Sequence, residues 1–348
     1  MKTYTLAIIG FGNVGQGLAA ILSEKHSLLK TRFGLDIRIV AICDQRKGSL
    51  ANPDGLDPQM LLDAIAQDDT LNNIEAPNKG WNAEQTIANS GADILVELAY
   101  TDLKTGEPAL SHVKQALSKG MHVSMTNKGP VALHYTELKT LAEAKGVRMG
   151  IEGTVMSGTP ALGLGSEMLL AAGINKIQGI LNGTTNYMLG EMEQGRDYQT
   201  ALTKAQALGY AEADPTGDVE GFDAAAKVVI LGNLLMGLSL GLDDIDRTGI
   251  SQITSEDIAQ AKAQNSHWKL IGTIEQSREP NGPSYLCSVK PEMIDKIHPL
   301  ASIAGASNAI TYSTDLMGDI TLVGPGAGRL ETGYAVIEDV LAIHRAGG

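Results

Sequence analysis

The chain has 348 residues, 43% of them apolar, which allows two globular domains and excludes an intrinsically disordered protein. Its formal charge of -13 disfavours nucleic-acid partners, because phosphate contacts need a basic surface, and favours a small-molecule ligand. No apolar run approaches the roughly 20 residues that span a bilayer, and no signal-sequence pattern precedes the first predicted strand, so we expect a cytoplasmic protein without a membrane partner.

Residues 4 to 151 alternate short apolar runs with amphipathic stretches, a pattern that predicts a parallel sheet covered by helices. Two helices have proline at their predicted start, Pro58 and Pro108, and Gly120 ends the second. The region 45–57, with Gly48, Pro53 and Gly55, is predicted to be a loop. The predicted strands are 4–9, 37–43, 93–98, 122–125 and 147–151.

Beyond residue 152 the pattern mixes helices with strands and predicts an α+β domain. The predicted helices lie around 159–171, 184–194, 198–208 and 220–236, and the predicted strands at 174–181, 268–275, 284–290 and 309–314. The last residues form a glycine loop and one amphipathic helix, which we expect to pack back on the first domain. The sequence thus predicts a Rossmann-type α/β dinucleotide-binding domain, formed by 1–150 plus 324–348, and a second α+β domain of 151–323.

A glycine motif lies between the first predicted strand and the helix that follows it. Gly10, Gly12 and Gly15 have the spacing G-x-G-x-x-G. In this context the three glycines permit a tight turn, approach of a pyrophosphate to the backbone, and close packing of helix on strand. The alternative is an ordinary glycine turn. The predicted cofactor-binding loop also includes Phe11, Asn13 and Val14.

The end of the second predicted strand leaves the choice of dinucleotide open. Asp44 is placed to accept hydrogen bonds from the adenosine ribose and to repel a 2′-phosphate, which favours NAD. Arg46 and Lys47 follow directly and could hold a 2′-phosphate, which favours NADP, or could be solvated loop charges.

Three further segments concentrate polar residues. Lys128 follows a predicted strand and precedes Gly129, so we expect it to point into the crevice at the carboxyl end of the sheet; the alternative is an ordinary surface charge. Asn182 and Thr184 are placed to cap a helix, whose exposed amides at Gly183 and Thr184 suit a substrate carboxylate.

The third segment is acidic and precedes an apolar helix with one charged residue, Lys227. Asp223 and Lys227 are four residues apart and share a helix face. Burial disfavours the charged lysine whereas Asp223 favours it, a conflict typical of proton-transfer groups. The alternative is a structural ion pair. The acids upstream, which include Glu212 and Asp218, indicate a site for a cationic group such as a substrate ammonium.

Seven segments in order resemble the homoserine dehydrogenase family and together cover nearly the whole chain. They are GFGNVG, VELAYTDLKTGEPALSHVKQAL, TNKGPVAL, EGTVMSGTP, LNGTTNYML, GYAEADPTGDVEGFDAAAK and VGPGAGRLETGYAVIEDV. The resemblance implies NAD(P)-dependent interconversion of L-homoserine and L-aspartate 4-semialdehyde, in the biosynthesis of threonine and methionine.

The resemblance also implies roles for single residues. Lys227 resembles the catalytic lysine, supported by Asp223, and Lys128 resembles a second lysine close to the reacting carbonyl and the cofactor. Substrate-binding roles are implied for Glu212, which suits the amino group, and for Asp218, Tyr210, Gly183 and Thr184.

Three further expectations come from the family alone. A sodium ion would bind main-chain oxygens of Glu152, Val155, Ser157 and Thr159, although Met156 stands where many members have glycine. The second domain would form a homodimer through its sheet. Some members carry a C-terminal regulatory domain for threonine feedback, and we expect this chain to lack both that domain and feedback through it.

Two other functions fit the same pattern. One is a related dehydrogenase acting on another small amino-acid-like substrate, which a substrate panel would reveal. The other is a non-catalytic nucleotide sensor, which would bind the cofactor without turnover. The set of Glu212, Asp218, Asp223 and Lys227 favours the homoserine reaction over both.

Overall fold

The computed structural model of the protein describes residues 1–279 and 282–347. The chain divides into two units: one joins Met1–Gly158 to Ala327–Gly348, and the other comprises Thr159–Gly326. Each unit is built on its own sheet.

The first unit contains seven strands: β1 (Lys2–Ile9), β2 (Leu35–Asp44), β3 (Gly48–Leu56), β4 (Asn78–Lys79), β5 (Ile94–Glu97), β6 (His122–Met125) and β7 (Met149–Gly150). Their order in the sheet is β4-β3-β2-β1-β5-β6-β7. Strands β2, β1, β5, β6 and β7 run parallel, and the strand order reverses between β1 and β5. Ligands of such sheets bind at this reversal, and the predicted Rossmann-type fold is confirmed.

Helices cover the sheet because its central strands are apolar on both faces. The adjacent pairs Leu6 and Ala7 of β1 and Leu95 and Val96 of β5, whose side chains point to opposite faces, are all fully buried. The helices that follow the strands are α1 (Asn13–Phe33), α2 (Pro58–Asp68), α3 (Ala83–Asn89), α4 (Ala109–Ser118) and α5 (Lys128–Lys145).

The loop predicted for 45–57 is wrong, because most of this region is β3, which pairs antiparallel with β2. Ala51 pairs with Ala41 and Leu56 with Ile39, so residues 52–55 bulge from the ladder. Pro53 and Gly55 therefore lie in the bulge, where proline is tolerated because no ladder hydrogen bond is lost. Since β3 runs antiparallel to both of its neighbours, β2 and β4, the sheet is mixed and not wholly parallel.

The second unit contains a six-stranded, mainly antiparallel sheet. Its strands are β8 (Ile174–Ile180), β9 (Asp246–Arg247), β10 (Ser266–Glu279), β11 (Gly282–Asp295), β12 (Ser307–Thr314) and β13 (Gly318–Pro325), in the order β13-β12-β8-β10-β11-β9. Its helices are α6 (Ala161–Gly163), α7 (Gly183–Glu193), α8 (Tyr198–Ala207), α9 (Thr216–Val219), α10 (Phe222–Leu235) and α11 (Ser255–Ala263).

One predicted helix of this unit is interrupted, and another begins slightly later than predicted. The helix expected at 159–171 is the short α6, a π turn at Leu164–Met168 and a 3-10 turn at Leu170–Ala172. The helix expected at 220–236 is α10 alone, because Gly221 has a left-handed φ of 79° and separates it from α9. Strands β9 and β13 and helices α9 and α11 were not predicted.

The final helix, α12 (Arg329–Ala346), belongs to the first unit and packs against α1. Glycines make this contact close. A methyl group on Gly333 would lie 2.6 Å from the amide nitrogen of Leu18, and one on Gly17 would overlap the carbonyl of Arg329.

Candidate active site

The glycine loop between β1 and α1 has the geometry that a dinucleotide pyrophosphate needs. Gly10 has a φ of 92° and donates its amide to the carbonyl of Cys43. A methyl group on Gly10 would lie 2.8 Å from the carbonyl of Leu98, and one on Gly15 would lie 2.8 Å from the carbonyl of Gly10. A methyl group on Gly12, in contrast, would meet no described atom within 4 Å. The loop therefore fits the cofactor. Gly10 and Gly15 allow the loop to pack closely, and Gly12 leaves the N-terminus of α1 open to an anion.

Asp44 at the end of β2 organises this loop. Its carboxylate accepts the amide of Phe11 at 2.7 Å and the amides of Arg46 and Lys47 at 2.9 Å each. Burial opposes ionisation of Asp44, but these hydrogen bonds outweigh it and lower the pKa of the carboxyl group. The Lys47 ammonium pairs with Asp69, whereas Arg46 is exposed.

Lys128 opens α5 directly after β6, and its side chain is half-buried. The residue before it, Asn127, caps the helix by accepting the amide of Gly129 at 3.1 Å. The Asn127 amide nitrogen also donates to the carbonyls of Ala99 and Tyr100, at 3.1 and 2.9 Å. Lys128 therefore stands on a fixed turn of the first unit, at a helix N-terminus where a cation is electrostatically unfavourable.

Lys227 and Asp223 form a buried ion pair in the second unit. Lys227 is 5% exposed, and its Nζ lies 2.7 Å from Asp223 Oδ2. Nζ also donates to the carbonyl of Leu181 at 2.5 Å. Two of the three ammonium N–H groups are thus engaged, one by the junction of β8 and α7 and one by Asp223 of α10.

Asp218 on α9 lies beside this pair. The side-chain amide of Asn182 donates to Asp218 Oδ1 at 2.7 Å and to Asp223 Oδ2 at 3.0 Å. Burial raises the pKa of Asp218, and the charge of Asp223 raises it further, against the opposing effects of Asn182, Lys227 and Thr184. The two carboxylates, one amide and one ammonium form a single polar cluster.

The N-terminus of α7 borders the cluster. Gly183 is its first residue, and Thr184 Oγ1 donates to the carbonyl of Tyr210 at 2.6 Å. The Tyr210 ring packs edge-on against Tyr187 with 5.1 Å between centroids. Glu212 lies two residues further on and is exposed. The structure therefore brings together Asp218, Asp223, Lys227 and Thr184. Glu212 makes no side-chain contact with this group that the structure describes, and lies near it only because Tyr210 is two residues away.

The residues expected to hold sodium lie in an unusual loop. Glu152 begins a 3-10 turn and Val155 follows it, and Met156 and Ser157 have left-handed φ values of 58° and 57°. Met156 therefore adopts the conformation for which glycine is usual, at a cost of about 1 kcal/mol. Thr159 begins the second unit. Across the described ranges, 1–279 and 282–347, no group of three His, Cys, Asp or Glu side chains could hold a metal.

Sequence reasoning treated Asn182 as a helix cap and missed its contacts with Asp218 and Asp223. The cap is present, since Asn182 Oδ1 accepts the amide of Thr185 at 2.9 Å. The carbonyl of Leu181 was also missed. Both lie more than 30 residues from their partners in the chain, and no local pattern reveals such contacts.

Comparison with family models supports one assignment for both units. Residues 160–341 match the model described as homoserine dehydrogenase, and residues 10–152 match the model described as homoserine dehydrogenase, NAD binding domain.

Relatives match over the whole chain. The NAD(+)-dependent homoserine dehydrogenase of Pseudomonas canavaninivorans is 43% identical, covering 99% of this chain and 97% of that protein. The homoserine dehydrogenase of Methanocaldococcus jannaschii is 37% identical, with 98% of each chain covered.

Solved structures agree with these relatives. A homoserine dehydrogenase from Thiobacillus denitrificans superimposes with a TM-score of 0.86 at 32% identity, covering 100% of this chain and 74% of that one. A hyperthermophilic archaeal homoserine dehydrogenase in complex with NADPH gives a TM-score of 0.84 at 28% identity, with 99% and 98% covered.

Proposed function

The chain belongs to the homoserine dehydrogenase family, and we propose that Lys227, held by Asp223, manages the proton of the family's reaction. The enzyme is an NAD(P)-dependent oxidoreductase that interconverts L-homoserine and L-aspartate 4-semialdehyde in amino-acid biosynthesis. The observation that carries the proposal is the buried ion pair, with 2.7 Å between Lys227 Nζ and Asp223 Oδ2.

The third N–H group of Lys227 is the proposed proton donor. In the reductive direction, the C=O bond of the aldehyde becomes C–O–H, so negative charge develops on oxygen and a proton must reach it. Two N–H groups of Lys227 are held by Leu181 and Asp223, which leaves one N–H for the substrate oxygen or for a water that bridges to it. In the oxidative direction the hydroxyl proton returns along the same path. When bound, the nicotinamide nucleotide supplies or accepts the hydride.

Lys128 is the proposed second cation for the developing oxyanion. The first turn of a helix carries partial positive charge, so a lysine at this position lowers the stability of the helix. That cost, together with the fixed turn at Asn127, supports a functional role for Lys128.

The polar ends of the amino-acid substrate match groups around α7. We assign the substrate carboxylate to the amides of Gly183 and Thr184, because a helix N-terminus attracts anions. We assign the substrate ammonium to the exposed carboxylate of Glu212, with Asp218 as a second acid and Tyr210 as a wall of the same site.

The first unit is the proposed dinucleotide site and accepts NAD or NADP. Gly12 and the first amides of α1, at Asn13 and Val14, are suited to the pyrophosphate. Asp44 favours the 2′-hydroxyl of NAD, and Arg46 is the exposed cation that would pair with the 2′-phosphate of NADP.

Replacement of Lys227 by methionine tests the proton role. We expect Lys227→Met to lower kcat for homoserine oxidation by at least about 10³-fold. NADH should still bind, since the proposed dinucleotide site lies in the first unit and Lys227 in the second. Lys269→Met is the matched control, because Lys269 is also buried in the second unit, at 4% exposure, but bonds to Asn186 and Ile303 outside the cluster. Turnover of Lys227→Met at the rate of the control would remove Lys227 from the mechanism.

We also propose that the enzyme is a homodimer joined through the sheet of the second unit. Cross-strand partners place Thr321, Thr311, Gln178 and Thr273 in one row across β13, β12, β8 and β10. The same face exposes Leu286 by 53% and Val323 by 52%. Apolar side chains around a polar row support a protein interface.

Two smaller proposals complete the assignment. Main-chain oxygens of Glu152, Val155, Ser157 and Thr159 are the proposed sodium ligands, since carbonyl oxygens suit a hard cation. We place the enzyme in the cytoplasm, which agrees with the two buried thiols Cys43 and Cys287. Within residues 1–279 and 282–347, no helix combines the length and apolarity needed to cross a membrane.

A further inference from the structure

Asn182 does more at the junction of β8 and α7 than a helix cap requires. Its side chain is 4% exposed and uses both ends of the amide. Oδ1 accepts the amide of Thr185 at 2.9 Å and the hydroxyl of Thr185 at 3.1 Å. Nδ2 donates to Asp218 at 2.7 Å and to Asp223 at 3.0 Å.

The capping role alone does not explain an amide at this position. A cap needs one side-chain oxygen, and serine, aspartate and asparagine supply it about equally well. Among these three, only asparagine adds two N–H donors. Both donors are used on carboxylates, so the side chain is matched to two anions as well as to α7.

The shared amide has an electrostatic consequence. Two carboxylates that accept from one nitrogen lie close together, and their charges repel. An N–H donor directed at each carboxylate opposes this repulsion and favours the ionised form. Asp223 can then remain the anion that holds Lys227 at 2.7 Å.

We propose that Asn182 is a positioning residue of the reaction: its amide holds Asp218 and Asp223 side by side, and through Asp223 it fixes Lys227 for proton transfer. The inference rests on the proposed role of Lys227. It assigns to Asn182 the placement of the proton-transfer pair and leaves substrate binding to other groups.

The test compares Asn182→Ser with wild-type enzyme, because serine keeps the cap oxygen and removes both N–H donors. We expect kcat for homoserine oxidation to fall by about 10-fold, with a smaller change in KM. Asn182→Asp keeps the cap and nearly the same shape but adds a third carboxylate, and should lose at least as much.

The pH profile separates positioning from a purely structural effect. Asp223 and Lys227 face Asp218 from α10, and Asn182 and Thr184 face it from α7. Loss of the amide donors makes proton uptake by the carboxylates easier, so the acid limb of the kcat profile should move up by about one pH unit in Asn182→Ser. If the acid limb of Asn182→Ser lies at the same pH as in the wild type, or if its kcat is within twofold of wild type, Asn182 is only a helix cap and the proposal is overturned.

A second readout does not depend on turnover. Carbon-13 NMR of labelled aspartate carboxyl groups should show Asp218 taking up its proton at higher pH in Asn182→Ser than in the wild type, and unchanged titration would count against the bridge. An inactive wild-type enzyme would instead contradict the proposed function. The NMR comparison would still decide whether the Asn182 amide bridges Asp218 and Asp223.

Discussion

Asp223 acts on Lys227 by charge as well as by a hydrogen bond, and the two contributions can be separated. Asp223→Asn keeps a polar side chain of the same size but removes the negative charge beside a buried ammonium. We expect kcat to fall by about 10- to 100-fold, as for loss of a charged hydrogen bond, with a smaller change in KM. Steady-state kinetics with homoserine measure both values. Asp214→Asn is the control, because Asp214 is an exposed acid of the same segment; equal losses in both variants would contradict a special role for Asp223.

Asp36 gives a pH-dependent stability that is independent of the active site. Its side chain is 1% exposed; burial opposes ionisation, but hydrogen bonds from His26, Lys30 and Arg38 outweigh it and lower the pKa to about 2. A folded-state pKa below the unfolded value adds stability that is complete above about pH 4 and disappears as the pH falls through about 2.

We therefore expect Asp36→Asn to destabilise the protein at pH 7 by about 1 kcal/mol, a value reduced because the three partners are partly solvent-exposed. Urea unfolding at pH 7, 4 and 2.5 measures the difference in free energy of unfolding between wild type and Asp36→Asn. This difference should become smaller only below pH 4. The exposed Asp54→Asn serves as the reference. A deficit that stayed constant down to pH 2.5 would show that the Asp36 charge is not its cause.

Single residues were predictable where their partners are close in the chain. Asp223 and Lys227 are four apart on one helix, so their pairing follows from helical geometry. The partners of Asn182 are 36 and 41 residues away, and they meet only because α9 packs against α7 and α10 packs against β10 and β11 in the same unit. Sequence periodicity contains no information on that packing, which is why the cap was found and the bridge was not.

Among the elements, the glycine loop allows fold and cofactor binding to be tested separately. Gly10→Ala forces a methyl group to 2.8 Å from Leu98 at a φ of 92°, so we expect it to lower the melting temperature by several degrees. Gly12→Ala meets no described atom within 4 Å, so its melting temperature should stay within about 2 degrees of wild type. The same methyl group occupies the approach of the pyrophosphate, and NADH affinity should fall by at least about 10-fold.

Differential scanning fluorimetry and NADH fluorescence titration measure these two effects. Unchanged NADH affinity in Gly12→Ala would place the pyrophosphate elsewhere. Unchanged stability in Gly10→Ala would show that the turn relaxes around the added methyl group.

Elements with regular apolar spacing were predicted well, and those with turn residues were not. β1, β2 and β6 follow from apolar runs, whereas β3 contains Gly48, Pro53 and Gly55 and resembles a loop. Its pairing with β2 tolerates these residues because 52–55 bulge out of the ladder. Whether this segment forms a strand depends on its pairing with β2, so its local composition alone gives the wrong prediction.

On the scale of the whole molecule, the alternation of strands and helices was enough to predict one Rossmann-type unit and one α+β unit. The strand order of the second sheet was not predictable, because β8 pairs with β10 and β12, which lie more than 80 residues further along the chain. Composition limited the class of ligand, and the seven ordered segments identified the family.

The proposed homodimer follows from the face of the second sheet and makes a prediction about assembly. Leu286 and Val323 are exposed apolar side chains on either side of the polar row, so burying them against a second copy would stabilise the pair. Leu286→Arg combined with Val323→Glu should leave each chain folded, because both residues are exposed, and should shift sedimentation equilibrium from dimer to monomer at micromolar concentration. Leu28→Arg changes a similarly exposed leucine in the first unit and should remain dimeric. A dimer that survives the double substitution with unchanged affinity would exclude this face as the interface, whereas a wild-type monomer would exclude the homodimer itself.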